Sequence, residues 1–178
     1  MKKLALFIIV IGFTVNVHSQ EDLNLTNVLI IGLQEKVSDR FTLEIALLDV
    51  MHENNINAKS SINVLKQGER QAILASDSLQ RKLKRDDINT YMLVAVRGYD
   101  KRFNPPSRIL DLEEELNAGH LFPIWRENAS SVTFTISFYR NGFPVHNELI
   151  MIRSTGSRDA VMKRLTKKIS KRLRKAWK

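Results

Sequence analysis

The apolar positions between residues 27 and 96 alternate between strand-like runs and helical spacing. Asn27–Leu33 is a short apolar run typical of a buried strand. Apolar residues then recur at helical spacing after Ser38, which can cap a helix. The predicted elements are a strand at 27–33, a helix at 38–54, a strand at 58–65, a helix with Ile73, Leu74, Leu79 and Leu83 on its apolar side, and a strand at 90–96. The last strand is apolar on both alternating faces, which suits the centre of a covered sheet.

A loop, a hairpin and a final helix complete the pattern. They are a loop at 104–107, a short acidic helix at 109–117, an apolar stretch at 121–125, strands at 131–139 and 143–152 joined by Asn141-Gly142, and the last helix. Pro144 places the start of the second hairpin strand at a sheet edge or outside the ladder. We therefore predict a single α/β domain of three layers. Its mixed sheet of about five strands follows a β-α-β-α-β start, a β-hairpin and a C-terminal helix.

Residues 158–178 form a basic amphipathic helix in this interpretation. At about 100° per residue, its apolar side chains fall on one arc and its cations on the rest. The apolar arc comprises Val161, Met162, Leu165, Ile169, Leu173 and Ala176, with Trp177 at its edge and Arg172 intruding. Two interpretations stay open. The helix docks and leaves a solvated basic face, or that face binds an anionic surface through Lys163, Lys167, Lys168, Lys171, Arg174 and Lys175.

The start of the chain has the pattern of a secretory signal peptide. Lys2 and Lys3 precede an apolar run, and Val17-His18-Ser19 suits the residues before a cleavage site. We expect a signal peptide at 1–19, a mature domain at 20–178 and a location in the periplasm or cell envelope. No second apolar run of membrane-spanning length follows. The sequence has no cysteine, so neither a disulfide nor the lipidated cysteine of bacterial lipoproteins is expected.

The formal net charge of +9 is concentrated in the last helix. Residues 158–178 contain ten lysines or arginines and a single acid, Asp159. Because Lys2 and Lys3 leave with the predicted signal peptide, the remaining segment 20–157 carries a formal charge of −2. A basic pI often indicates a nucleic-acid partner. Predicted export instead favours an anionic envelope surface.

Residues suited to catalysis or metal binding are few. His52, His120 and His146 lie on different predicted elements without a ligand-spaced partner, so no metal site is predicted. Thiol catalysis is excluded by the lack of cysteine, and no Gly-x-Ser-x-Gly motif occurs. We interpret Glu113–Glu115 as the charged face of a short surface helix. The sequence therefore predicts no cofactor and no enzymatic activity.

Aromatic and arginine side chains collect in the irregular segment between residues 99 and 126. Long loops of this kind are often functional, and aromatics with arginine are typical of binding hot spots. The candidate partner-binding residues are Tyr99, Arg102, Phe122, Trp125 and Arg126. In the alternative interpretation, the apolar residues 121–125 cap an open side of the core.

Several short runs carry a resemblance to known proteins. They are residues 28–33, 40–44, 63–67, 96–103, 121–125, 130–134 and 138–142. Together these runs are similar to a family of small secreted proteins of flavobacterial type. More distantly, the chain resembles α/β envelope lipoproteins whose strand–helix–strand start carries a glutamate in the first helix. The resemblance implies the fold and the location in the cell envelope, and it implies no activity and no catalytic residue.

These observations predict an exported, non-catalytic factor that binds or assembles with an envelope protein or anionic envelope surface. One alternative is a peripheral protein held on an anionic membrane or glycolipid surface by its basic C-terminal helix. The other is an enzyme with an unrecognised site. A pocket with converging titratable groups would favour an enzyme, whereas a groove or aromatic patch would favour a binding protein.

Overall fold

The computed structural model describes residues 23–66, 68–100, 108–119, 121–153 and 156–177. The predicted signal peptide at 1–19 lies outside these residues. The strands are β1 (Asn27–Leu33), β2 (Asn57–Ser60), β3 (Thr90–Tyr99), β4 (Ser131–Arg140) and β5 (Phe143–Arg153). The α-helices are α1 (Val37–Glu53), α2 (Asp77–Arg85), α3 (Leu112–Asn117) and α4 (Arg158–Lys175), and 3-10 helices cover Ser61–Asn63 and Gln71–Ala75.

The five strands form one mixed sheet in the order β2-β1-β3-β4-β5. β1 pairs in parallel with both β2 and β3, whereas β4 pairs antiparallel with β3 and with β5. The predicted α/β class and five-stranded mixed sheet are confirmed. Pro144 lies near the start of β5, which is an edge strand, as the sequence predicted.

Side chains of alternating direction divide the core between the two faces of the sheet. On β1, Val28 and Ile30 belong to a cluster with α1 and α4, while Leu29 and Ile31 belong to a second cluster with α2 and α3. β4 sends Phe134 into the first cluster. The two clusters explain why the central strands are apolar on both faces.

Several predicted element boundaries were wrong. The strand expected at 58–65 ends at Ser60 and continues as a 3-10 helix, because the Ser60 hydroxyl accepts from the amide of Ile62. The helix expected from Ser38 begins instead at Val37, and its N-cap residue is Lys36. The second predicted helix is divided between the 3-10 helix at Gln71–Ala75 and α2.

Candidate functional site

The last helix docks on the sheet along the predicted apolar arc. Val161, Leu165, Ile169 and Leu173 are fully buried, and the Ser157 hydroxyl caps the helix by accepting from the amide of Ala160. Trp177 follows the helix and is also fully buried. Its ring centroid lies 5.0 Å from that of Phe138 and 6.0 Å from that of His146. These contacts hold α4 at both ends, so the position of its basic face is defined.

A groove of about 820 Å³ lies between β5 and α4. One wall is the strand from Glu148 to Arg153, which supplies apolar side chains. The other wall is a cationic stripe on α4, formed by Arg164, Lys167, Lys168, Lys171, Arg172 and Lys175. Positions three or four apart share one face of a helix, and the stripe is about 16 Å long at 1.5 Å per residue.

The structure brings together four of the six cations predicted to bind an anionic surface. Lys167, Lys168, Lys171 and Lys175 line the groove, whereas Lys163 and Arg174 are not among its lining residues. Sequence reasoning missed Arg164 and Arg172 as lining residues. The helical angles separate cations from apolar residues, but they do not reveal which edge of the basic face lies next to β5.

Half of the cationic stripe is already engaged by β5. The Lys168 Nζ donates to the carbonyl oxygen of Met151 at 2.6 Å, and Arg164 donates to the carbonyl of Arg153. Arg172, which intrudes on the predicted apolar arc, pairs with the carboxylate of Glu148 at 2.7 Å. This acid is the one carboxylate among the described residues that line the groove.

The other half of the stripe is exposed and available to a ligand. Lys167, Lys171 and Lys175 make no hydrogen bond or ion pair with any residue in the described part of the chain, and all three are exposed. They stand one helical turn apart, which places them in a row of about 6 Å spacing. The groove therefore presents a row of unpaired cations beside an apolar strand.

The face of β5 turned away from α4 carries a row of exposed apolar side chains. Leu149 and Met151 pair across the ladder with Thr135 and Thr133, and are 43% and 42% exposed. Val145 is 44% exposed on the same strand. The intervening Ile150 and Ile152 are buried in the cluster beneath α4. The edge strand thus has a basic helix on one side and an exposed apolar row on the other.

The candidate residues of the irregular segment come together at the end of β3. The Tyr99 and Phe122 rings meet edge to face with centroids 6.5 Å apart, and the Arg126 guanidinium lies 6.0 Å from the centroid of Tyr99. Ile124 is fully buried, and the partly buried Trp125 packs against the core. Arg102 lies outside the described residues. The arrangement combines a core cap with exposed Phe122 and Arg126 side chains, and partner binding here stays a prediction.

Burial governs the acidity of Tyr99. It raises the pKa of this phenol to about 12, while the charge of Arg126 lowers it and that of Asp39 raises it further. The phenol therefore stays protonated at neutral pH and donates to the carbonyl of Pro123. This hydrogen bond ties the irregular segment to β3.

A buried carboxylate on α1 holds the carboxyl ends of two parallel strands. Glu44 is fully buried and accepts from the amide of Gly32 at 2.9 Å. It also accepts from the hydroxyls of Ser60 at 2.6 Å and Ser61 at 2.7 Å. α1 approaches β1 closely at this point, since a Cβ on Gly32 would lie 3.2 Å from Leu43 Cδ2. The Glu44 carboxylate therefore acts as a structural clamp: it joins α1 to the ends of β1 and β2.

The interpretation of Glu113–Glu115 as a charged surface was wrong for its last member. Glu115 is buried and pairs with Arg97 of β3. Arg97 Nε also donates to Thr135 at 2.9 Å. Glu114 completes a capping box with Asp111 at the start of α3, and Glu113 is exposed. The pattern of three adjacent acids does not reveal that α3 turns one of them toward the sheet.

Membrane-spanning helices and metal clusters are both absent from the described residues. Within those ranges, no helix is both long enough and apolar enough to cross a bilayer. In the same residues, no group of three or more histidine, aspartate or glutamate side chains is placed to hold a metal ion.

Comparisons with known proteins find similarity at the level of structure. No protein-family model matches the chain, and no curated protein sequence matches it. A dodecameric single-substitution variant of PelC from Paraburkholderia phytofirmans is 11% identical, with a TM-score of 0.44 over 84% of this chain and 88% of that one. Lipoprotein GNA1162 of Neisseria meningitidis is 9% identical, with a TM-score of 0.42 over 86% of this chain and 99% of that one. The expected resemblances to secreted proteins of flavobacterial type and to α/β envelope lipoproteins both stay predictions.

Proposed function

We propose that this protein is a non-catalytic binding protein of the cell envelope, and that the groove between β5 and α4 holds an anionic partner. One observation carries the proposal: Lys167, Lys171 and Lys175 form an exposed, unpaired row beside an apolar strand, within the described part of the chain. The predicted export of the chain supports the envelope as the place where the partner is met.

The energetics of the cationic row support an anionic ligand. Like charges four residues apart on a helix repel each other by a few tenths of a kcal/mol per pair. An anion in the groove would remove this repulsion and gain contacts that salt screens only in part. Exposed ion pairs contribute about 0.5 kcal/mol each, so three of them correspond to roughly tenfold in affinity.

The composition of the groove supports binding over catalysis. Among the described residues, its lining contains no serine, threonine or histidine, and the one carboxylate there, Glu148, is already paired with Arg172. The free groups are the amines of Lys167, Lys171 and Lys175, which are exposed, whereas a nucleophilic lysine is typically desolvated in an apolar pocket. A lysine row with an apolar wall instead offers charge and contact area.

Binding of fluorescent poly-L-glutamate at low salt tests the proposal. Replacing Lys167, Lys171 and Lys175 together with glutamine should weaken binding about tenfold. The matched control replaces Lys163, Arg174 and Lys84, which carry the same charge outside the groove. The control should lose less than about threefold, as expected for long-range screened charge. Equal loss in both variants, or no binding by the natural protein, would overturn the proposal.

A further inference from the structure

We infer that the anionic partner is an extended protein segment of alternating acidic and apolar residues, which adds as a sixth strand to the open edge of β5. The inference rests on the proposed function, because it names the class of ligand for the same groove. Strand addition uses main-chain hydrogen bonds for affinity and alternate side chains for specificity.

The backbone of β5 is oriented for such an addition. β5 ends the sheet and pairs only with β4 among the described strands. The carbonyl oxygens of Met151 and Arg153 accept hydrogen bonds from Lys168 and Arg164 of α4, on the side of β5 away from β4. This shows that the two carbonyl groups point away from β4. Backbone groups of an antiparallel strand repeat their direction every second residue. The peptide N–H and C=O groups of Leu149 and Met151 therefore lie along the open edge.

The two sides of β5 specify the alternation of the partner. Successive side chains of an added strand would point to opposite faces of the sheet. Those on one face would meet Lys167, Lys171 and Lys175, which favours acidic residues. Those on the other face would lie beside Leu149 and Met151, which favours apolar residues.

The spacing of the cations fits this strand. Lysines one turn apart on α4 are separated by about 6 Å along the helix axis. Side chains on the same face of a strand are separated by about 6.8 Å. Three alternate acids can therefore face three successive lysines with little distortion of either element.

In the free protein, basic side chains of α4 cover part of the open edge of β5. Lys168 and Arg164 occupy outward carbonyls of β5, as charged side chains do on edge strands that must not pair indiscriminately. Both side chains are exposed at the surface of α4 and can swing to acids of an incoming segment. An acidic strand that displaces Lys168 and Arg164 from the β5 carbonyl groups offers them carboxylates in exchange. A neutral strand offers no such replacement.

Charge complementarity also selects against a second copy of this chain. Symmetric pairing of two β5 edges would bring two cationic stripes of α4 to one junction. Like charges placed opposite each other in this way reduce affinity. A flat anionic membrane could contact the exposed lysines, but it has no extended backbone whose N–H and C=O groups repeat at the spacing of the β5 edge.

Titration with two short peptides of equal composition tests the inference. One peptide alternates glutamate and valine over eight residues, and the other carries the same residues as a glutamate block followed by a valine block. We expect the alternating peptide to bind at least about tenfold more tightly, since it alone can satisfy both faces together. Amide hydrogen exchange should slow at Leu149 and Met151 when it binds.

A proline variant separates strand addition from simple charge attraction. Met151→Pro removes an outward N–H while sparing the ladder to β4, and Met151→Ala is its control with the N–H retained. The proline variant should lose the alternating peptide and still bind poly-L-glutamate. If it does not fold, the exchange measurement on the natural protein decides the question.

Each remaining outcome has a defined meaning. Equal affinity for both peptides, unchanged exchange at Leu149 and Met151, or binding to anionic vesicles of phosphatidylglycerol without peptide binding would overturn strand addition. In the first two cases the proposed anionic groove survives if poly-L-glutamate binding depends on the groove lysines. Failure of the matched poly-L-glutamate experiment would instead overturn the proposed function itself.

Discussion

The carboxylate of Glu44 accepts the backbone N–H of Gly32 at 2.9 Å, in a position where neither group reaches water. This contact joins the first helix to the end of the first strand. The same carboxylate receives the hydroxyls of Ser60 and Ser61, at the point where β2 ends and a 3-10 helix begins. One side chain therefore sets the geometry of a helix and two parallel strands.

Replacing Glu44 should destabilise the domain. Glu44→Ala leaves a buried amide and two hydroxyls without their acceptor, and we expect a loss of about 3 kcal/mol in the free energy of unfolding. Glu44→Gln keeps the shape and part of the bonding, so its loss should be smaller. Urea unfolding measures both, with the exposed Glu53 on the same helix as the control for Glu→Ala. Equal stability of the Glu44 and Glu53 variants would contradict the clamp.

The ion pair between Arg97 and Glu115 should matter in a similar way. Glu115→Ala leaves a nearly buried guanidinium without its carboxylate, and removal of one partner from such a pair costs about 3–5 kcal/mol. Glu113→Ala on the exposed side of the same helix should change stability by less than about 0.5 kcal/mol. Thermal and urea unfolding compare the two. A small effect at Glu115 would show that α3 is held by its apolar contacts alone.

The sheet could be predicted from the sequence because its signals are local. The apolar run of β1, the alternation of β4 and the Asn141-Gly142 turn each lie within a few residues, and Pro144 marks the edge. The apolar arc of α4 follows from helical spacing in the same way. These signals do not depend on where distant segments pack.

The features that the sequence did not predict depend on contacts between residues distant in the chain. β2 is shorter than its alternation predicts because Glu44, sixteen residues before Ser60, takes the hydroxyl at its end. The groove could not be located for the same reason, since the side of α4 that meets β5 is set by the packing of Leu165 and Ile169. Four of the six cations that line the groove were identified from the sequence, and the fold added Arg164 and Arg172 and placed Lys163 and Arg174 outside the lining.

Trp177 should contribute strongly to stability although it follows the last helix. Its indole is fully buried against Phe138 and His146. Trp177→Ala should cost about 3–5 kcal/mol, the range for truncating a buried aromatic side chain. Phe143→Ala is the control, because that ring is 70% exposed. Because Trp177 secures the end of α4 near Lys175, partial loss of poly-L-glutamate binding should accompany the loss of stability.

Trp125 distinguishes the two interpretations of the irregular segment. The side chain is only partly buried and packs against the core, so Trp125→Ala should cost about 2 kcal/mol as a core cap. A role in partner capture would appear as weaker crosslinking to envelope fractions by the folded variant. Phe122→Ala probes the exposed rim of the same segment with less effect on stability. If Trp125→Ala changes neither stability nor capture, both interpretations are wrong.

The tyrosines provide a pH-dependent test of the fold. Tyr91, Tyr99 and Tyr139 are the three tyrosines of the chain, and burial raises the pKa of each from an ordinary value of 10.0. For Tyr99 and Tyr139 the pKa is about 12. Between pH 10 and 12 the unfolded chain therefore binds fewer protons than the folded one, so stability is complete below pH 10 and falls as the pH rises.

Absorbance titration should detect this directly. The folded protein should show no tyrosinate signal near pH 10, and the signal should appear above it, together with loss of the native circular dichroism. Tyr139→Phe removes one buried ionisable phenol and should shift the alkaline unfolding transition upward in pH. A titration of all three tyrosines near their ordinary pKa in the folded protein would contradict the burial of these rings.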